Sequence, residues 1–170
     1  MTAQNPEMTV AEENRQNEAI ADELIETQST YSEIIETAIS SLDTEDTAMV
    51  NRSEESTLWK FQYGSVEVFV QITGETDDDM LTVWATFLKL PVKKENELMR
   101  KLLEMNWDST YETCFAIVND QVIVTCQRTV AELSPGEISR AITLVASIAD
   151  DNDEDFKATY GASSSVISNQ

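Results

Sequence analysis

The stretch WKFQYGSVEVFVQI, residues 59–72, constrains this chain most. Trp59, Phe61 and Tyr63 alternate with Lys60 and Gln62, and after Gly64-Ser65 the residues Val66, Val68, Val70 and Ile72 alternate with Glu67, Phe69 and Gln71. A period of two is the signature of a β-strand, whose successive side chains point to opposite faces. Gly64-Ser65 suits a two-residue type II′ turn, which needs glycine at its first central position. With the turn there, Tyr63 pairs with Val66, Phe61 with Val68 and Trp59 with Val70. All seven apolar residues then share one face, as a half-buried antiparallel sheet requires.

Other elements assemble around this hairpin. From 18 to 42, Ile20, Leu24, Tyr31, Ile34, Ile35, Ala38 and Leu42 follow a helical spacing, with Thr27 filling one step and no strong cap at either end. Residues 43–56 read as a loop. Residues 80–89 form a third strand, ended by Leu90-Pro91. Residues 93–106 form a helix with Leu98, Leu102 and Met105 on one face and Met99 and Leu103 beside them; Trp107 follows its end. ETCFAIV and QVIVTCQ pair through Asn119-Asp120, a type I′ turn. Both faces of that hairpin are apolar, so it is expected to be central or covered on both sides. Ser134, Pro135 and Glu137 supply an N-cap, a first-turn proline and a capping box for a final helix over 135–149. The order is α-βββ-α-ββ-α, an α+β domain with an antiparallel sheet packed with helices.

Composition removes many functions. The chain has 170 residues, 41% of them hydrophobic, and a formal charge of -21 with no histidine. That length suits one domain with flexible ends, or one domain plus a small appendage. Such a charge repels nucleic-acid backbones and anionic membranes. Without histidine there is no Ser-His triad and no imidazole base near neutral pH. No apolar run approaches the length of a membrane span. The N-terminus lacks secretory or transit character, and two cysteines are too few for a disulfide scaffold, so a cytoplasmic setting is expected. Residues 1–58 carry a net -12, 59–149 a net -5 and 150–170 a net -4. The expected division is an acidic disordered tail at 1–16, a domain at 17–150 and an acidic, mostly flexible tail at 151–170.

The chain resembles a known family in residues 57–150. The resemblance lies in the WKFQYGSVEVFVQI hairpin, the FLKLP exit before ELMRKLLEMN, the TCFAIVNDQVIV hairpin and the LSPGEISRAI helix start. These look like the YbjN domain family, closest to its cyanobacterial and chloroplast branch, which shares the fold of class I type III secretion chaperones. The resemblance implies a sensory or chaperone-like role without a shared catalytic motif. It also implies a homodimer paired through the middle helix and adjacent strand; the breadth of Leu98, Met99, Leu102, Leu103 and Met105 points the same way.

No phosphate-binding glycine loop and no nucleophile elbow occurs. Asp151, Asp153 and Asp155 have the spacing of an EF-hand start, but Phe156 stands where that loop needs glycine and Ala162 where it needs a bidentate Glu, so the run reads as a solvated acidic segment. No catalytic residue, cofactor or metal site is assigned. Cys114 and Cys126 project to opposite sheet faces, each expected to be a buried structural thiol. Lys89, Lys93, Lys94, Arg100 and Lys101, opposed by Glu95 and Glu97, form the one local positive excess; it reads as helix solvation or as a site that orients an acidic partner. Trp84 falls with Thr82, Thr86 and Leu88 on the second sheet face, either under a helix or a partner subunit or exposed for recognition. The expected function is a non-enzymatic protein-binding module, chaperone-like or regulatory, presenting a sheet face or helix groove. Its candidate partner-binding residues are Trp84, Leu88, Leu98, Met99 and Leu102. The alternative is a small-molecule sensor or enzyme with a pocket not visible in sequence.

Overall fold

The computed structural model describes residues 30–161. Three helices pack on a six-stranded antiparallel sheet: α1 (Tyr31–Leu42), β1 (Met49–Arg52), β2 (Thr57–Tyr63), β3 (Val66–Ile72), β4 (Met80–Lys89), α2 (Glu95–Asp108), β5 (Cys114–Val118), β6 (Gln121–Thr129) and α3 (Pro135–Tyr160). The sheet order is β1-β2-β3-β4-β6-β5, which makes β1 and β5 its edges. The class and order are those read from the sequence, with one further strand.

The first hairpin has the expected register: Trp59 opposes Val70, Phe61 opposes Val68 and Tyr63 opposes Val66. Gly64 has φ +51, a conformation that costs glycine little. Asn119 and Asp120 both have positive φ, as a type I′ turn demands. Along β3 the side chains alternate between buried and more exposed, so one sheet face is the core. Trp59, Phe61, Val68, Val70, Val83 and Val124 on that face meet Ile138, Ile142, Val145 and Ala149 of α3. Each such aliphatic burial is worth about 1.5–3 kcal/mol.

Several boundaries differ from the sequence reading, each for a physical reason. Helix α1 starts at Tyr31 because Thr30 is extended and forms a capping box with Glu33, a T-x-x-E signal the helical spacing had overridden. The expected turns before Thr30, and the expected tail at 1–16, lie outside the described residues. Strand β1 forms inside the expected 43–56 loop. Its Met49 and Val50 are too few to show a period, and pairing with β2 builds the strand. Asp43 anchors the approach by accepting from the amides of Thr47 and Ala48, both at 2.7 Å. The second hairpin is not covered throughout: β6 lies between β4 and β5, but β5 is an edge. Helix α2 begins two residues later than expected, since Lys94 is left-handed at φ 54, and it runs through Trp107.

The domain edge expected at residue 150 falls inside α3, which continues to Tyr160. Asp153 is only 1% exposed. Its Oδ2 accepts from the Ser65 hydroxyl at 2.6 Å, and Lys157 Nζ lies 2.7 Å from its carboxylate. Asp150 accepts from the Ser65 amide at 2.7 Å. The β2–β3 turn is thereby latched to α3. Beyond the latch, Phe156 stacks on Phe87 at 5.6 Å and Tyr160 is buried. The acidic run that looked like a solvated tail is in this part a helix turned toward the core.

Candidate functional site

Helices α1 and α3 pack on the core face of the sheet, and α2 lies beside α3 along β5, with Lys101 Nζ 5.9 Å from the Phe156 ring. The second sheet face carries a ladder of paired residues, Lys60, Phe69 and Trp84, on three neighbouring strands. The Phe69 and Trp84 rings stack at 5.2 Å, with Lys60 Nζ 5.8 Å from the Phe69 centroid. Trp84 is half-buried there.

A second apolar surface lies where α2 flanks the β5 edge. Leu98 and Leu102 hold α2 to the core and are fully buried. That pins the opposite side of the helix outward, where Leu103 is 71% and Trp107 93% exposed. Ile117, Val118 and Tyr111 are exposed nearby. Between helix and strand runs a groove of about 250 Å³, lined by Met99, Leu102, Leu103, Asn106, Phe115 and Ile117. Monomeric proteins seldom leave large aromatic and aliphatic side chains clustered in water, and such patches mark interaction sites. The Asn106 amide clamps the strand, accepting from the Phe115 amide at 2.7 Å and donating to its carbonyl at 3.3 Å. A side chain thus occupies part of the β5 edge where a further strand would pair.

The residues expected to bind a partner divide accordingly. Met99 lines the groove and Trp84 lies on the second sheet face. Leu98 is a core residue, while Leu102, also buried, lines the groove beside Met99. Leu88 is buried too, because a bulge at Phe87 shifts the register: Thr86 opposes Ile123, but Leu88 opposes Val122. The extra residue turns Leu88 onto the core face. Leu103, Trp107 and Ile117 were not among the expected contacts. Leu103 and Trp107 stand four residues apart, off the Leu98–Leu102–Met105 stripe, and that spacing was their available signal.

Perturbed titrations fall at structural clamps. The Ser134 amide, the Arg128 guanidinium and the Ser134 hydroxyl hold Glu137 down to about 2. A hydrogen bond from Arg140 lowers Glu112, with two contacts at 2.9 and 3.1 Å. Burial pushes the Cys126 thiol up. Cys114, expected to be buried, is exposed on the second sheet face of the edge strand. Among the described residues no group of His, Cys, Asp and Glu could hold a metal ion. The local basic excess is partly paired, Lys94 with Glu97 at 3.2 Å and Arg100 with Glu104 at 3.5 Å.

The fold is thus an α+β sheet with its helices on one side and an apolar groove at one edge. The family model named YbjN, described as "Putative bacterial sensory transduction regulator", matches residues 31–158, from the start of α1 into the last turn of α3. The chain belongs to the YbjN family. No curated protein matches it. No helix among the described residues is long and apolar enough to cross a membrane.

Proposed function

We propose that this chain is a non-enzymatic regulatory module that acts by binding protein, and that the α2–β5 surface is where it binds. The observation that carries the reading is the exposure of Leu103 and Trp107 beside the Met99–Phe115–Ile117 groove. Aromatic anchors beside an apolar pocket are the usual centre of a protein interface. A second copy of the chain is the occupant proposed here. It would bury both exposed anchors at once through a two-fold contact of the same patch on each chain. On this reading the likeness to type III secretion chaperones is one of working mode, a dimeric scaffold that holds another protein. Two cysteines without a disulfide support a cytoplasmic setting.

Light scattering at micromolar concentration tests the dimer. The expected mass is twice the 19.1 kDa of one chain. Leu103→Asp should give the single-chain mass with native far-UV circular dichroism. A wild-type chain at the single-chain mass would sink the second copy as occupant.

A further inference from the structure

We propose that the opposite sheet edge, β1 with its neighbour α1, is a docking site for an extended basic segment of another protein, which adds to the sheet as a strand beside β1. This site is separate from the α2–β5 surface and does not rest on the reading given for it.

The β1 edge is unpaired among the described residues. Strand β1 pairs with β2 on one side. Its outward backbone groups have no hydrogen-bond partner among the described residues. At β5 a side-chain amide clamps the corresponding position; at β1 nothing described does so. Unpaired strand edges template further strands unless blocked. The edge is also firmly placed. Thr47 accepts from the Gln62 amide at 2.8 Å and donates to Asp43 at 2.9 Å, tying the approach of β1 to β2.

Between α1 and β1 lies a cleft of about 360 Å³ with Ile39, Val50 and Trp59 as apolar lining and Glu36, Ser40 and Arg52 at its rim. Val50 opposes Trp59 in the ladder and is 44% exposed. A strand laid along β1 would point alternate side chains toward this cleft, the arrangement by which strand addition gains specificity.

Charge selects the occupant. Residues 30–58 carry seven acids and one base, Arg52. Arg52 is already committed to Glu36 at 2.6 Å. The same Glu36 oxygen accepts from the Trp59 indole at 3.2 Å, and its second oxygen has no partner among the described residues. Glu33 on α1, Glu45 and Asp46 before β1, and Glu54 and Glu55 after it add to the acidic charge of the segments that carry this edge. A cationic segment is attracted to such a rim and an acidic one repelled. The occupant is therefore an extended peptide alternating basic and apolar residues, with the apolar ones over Val50 in the cleft and the basic ones on the opposite face, drawn by the net acidic charge of residues 30–58.

The test uses the full chain and a fluorescein-labelled synthetic peptide of about eight residues alternating Lys and Val, long enough for one strand. Two controls accompany it: the same peptide with Glu for Lys, and one of the same composition with all Lys at one end and all Val at the other. Anisotropy should report binding of the alternating basic peptide, none of the acidic one and much weaker binding of the blocked one. Hydrogen exchange on the wild-type complex should show new amide protection within residues 49–52. Val50→Lys, with native far-UV circular dichroism, should weaken binding by at least about tenfold, because it fills the cleft with a like charge. Absence of binding, equal affinity for the blocked peptide, protection confined to other strands, or full affinity in a folded Val50→Lys chain would each overturn the proposal. Should that variant not fold, exchange on the wild type decides.

Discussion

Phe156→Ala tests the claim that α3 is part of the core beyond residue 150. Phe156 is 2% exposed. It packs against Phe87 at 5.6 Å, Tyr160 at 5.8 Å and Phe115 at 6.2 Å, so three rings from three elements converge on it. Truncating a buried phenylalanine to alanine costs about 3–5 kcal/mol through lost transfer energy and the cavity left behind. Each aromatic pair adds about 0.5–1.5 kcal/mol beyond its area. The rings cannot close the gap without moving β4 or β5, so the upper half of the range is expected. Against a typical total of about 5–15 kcal/mol this is a large share. In urea, with a slope of about 1–3 kcal/mol per molar, the midpoint should fall by about 1–5 M. Far-UV circular dichroism across a urea titration measures it. Two truncations belong in the same experiment. A chain ending after Gly161 keeps Phe156, Tyr160 and the Asp153 latch and should unfold with the full-length chain. One ending at residue 150 should be far weaker. A loss below about 1 kcal/mol for Phe156→Ala, or equal stability of the two truncations, would refute the docking of this helix end.

Three further outcomes follow from local geometry. Trp84→Ala removes a half-buried ring stacked on Phe69 and should cost about 1–2 kcal/mol in chemical denaturation, less than a core aromatic; a loss of 3 kcal/mol or more would mean that the second sheet face is covered. Gly64→Ala puts a side chain at φ +51 and pushes a methyl into the Asp150 carboxylate, so it should destabilise by about 1–3 kcal/mol, and a neutral result would contradict the latch. Glu137 lies at about 2 in the folded chain, below its ordinary 4.5. Its contribution is therefore present above pH 4.5 and is lost as pH falls toward 2. Glu137→Gln should remove that part of the acid dependence, and a carboxyl NMR titration placing Glu137 at its ordinary value would contradict the cap geometry.

How much was legible in advance depended on whether a signal was local. The hairpin through Gly64-Ser65, the Asn119-Asp120 turn and the Ser134 capping box each need only a few adjacent residues, and each stands where the sequence put it. The candidate surface was legible only in part. The apolar residues of α2 were visible as a group, but an excess of them does not say which face wins the core. Leu98 and Leu102 took that place and left Leu103 and Trp107 outside. Leu88 was lost to a bulge, a change of register that alternation along one strand cannot show.

By itself the sequence determined the α+β class, the element order and the pairing within each hairpin, because period, turn chemistry and capping act over neighbours in the chain. Tertiary structure alone decided what joins elements far apart. Strand β1 exists because β2 offers an edge to pair with, although its own four residues show no alternation. The acidic run after residue 150 stays helical because Ser65, at the far end of the hairpin, and Lys157 both hydrogen-bond Oδ2 of the buried Asp153 carboxylate. Burying a charge is too costly to infer from a local pattern, and only the partner brought by the fold makes it stable.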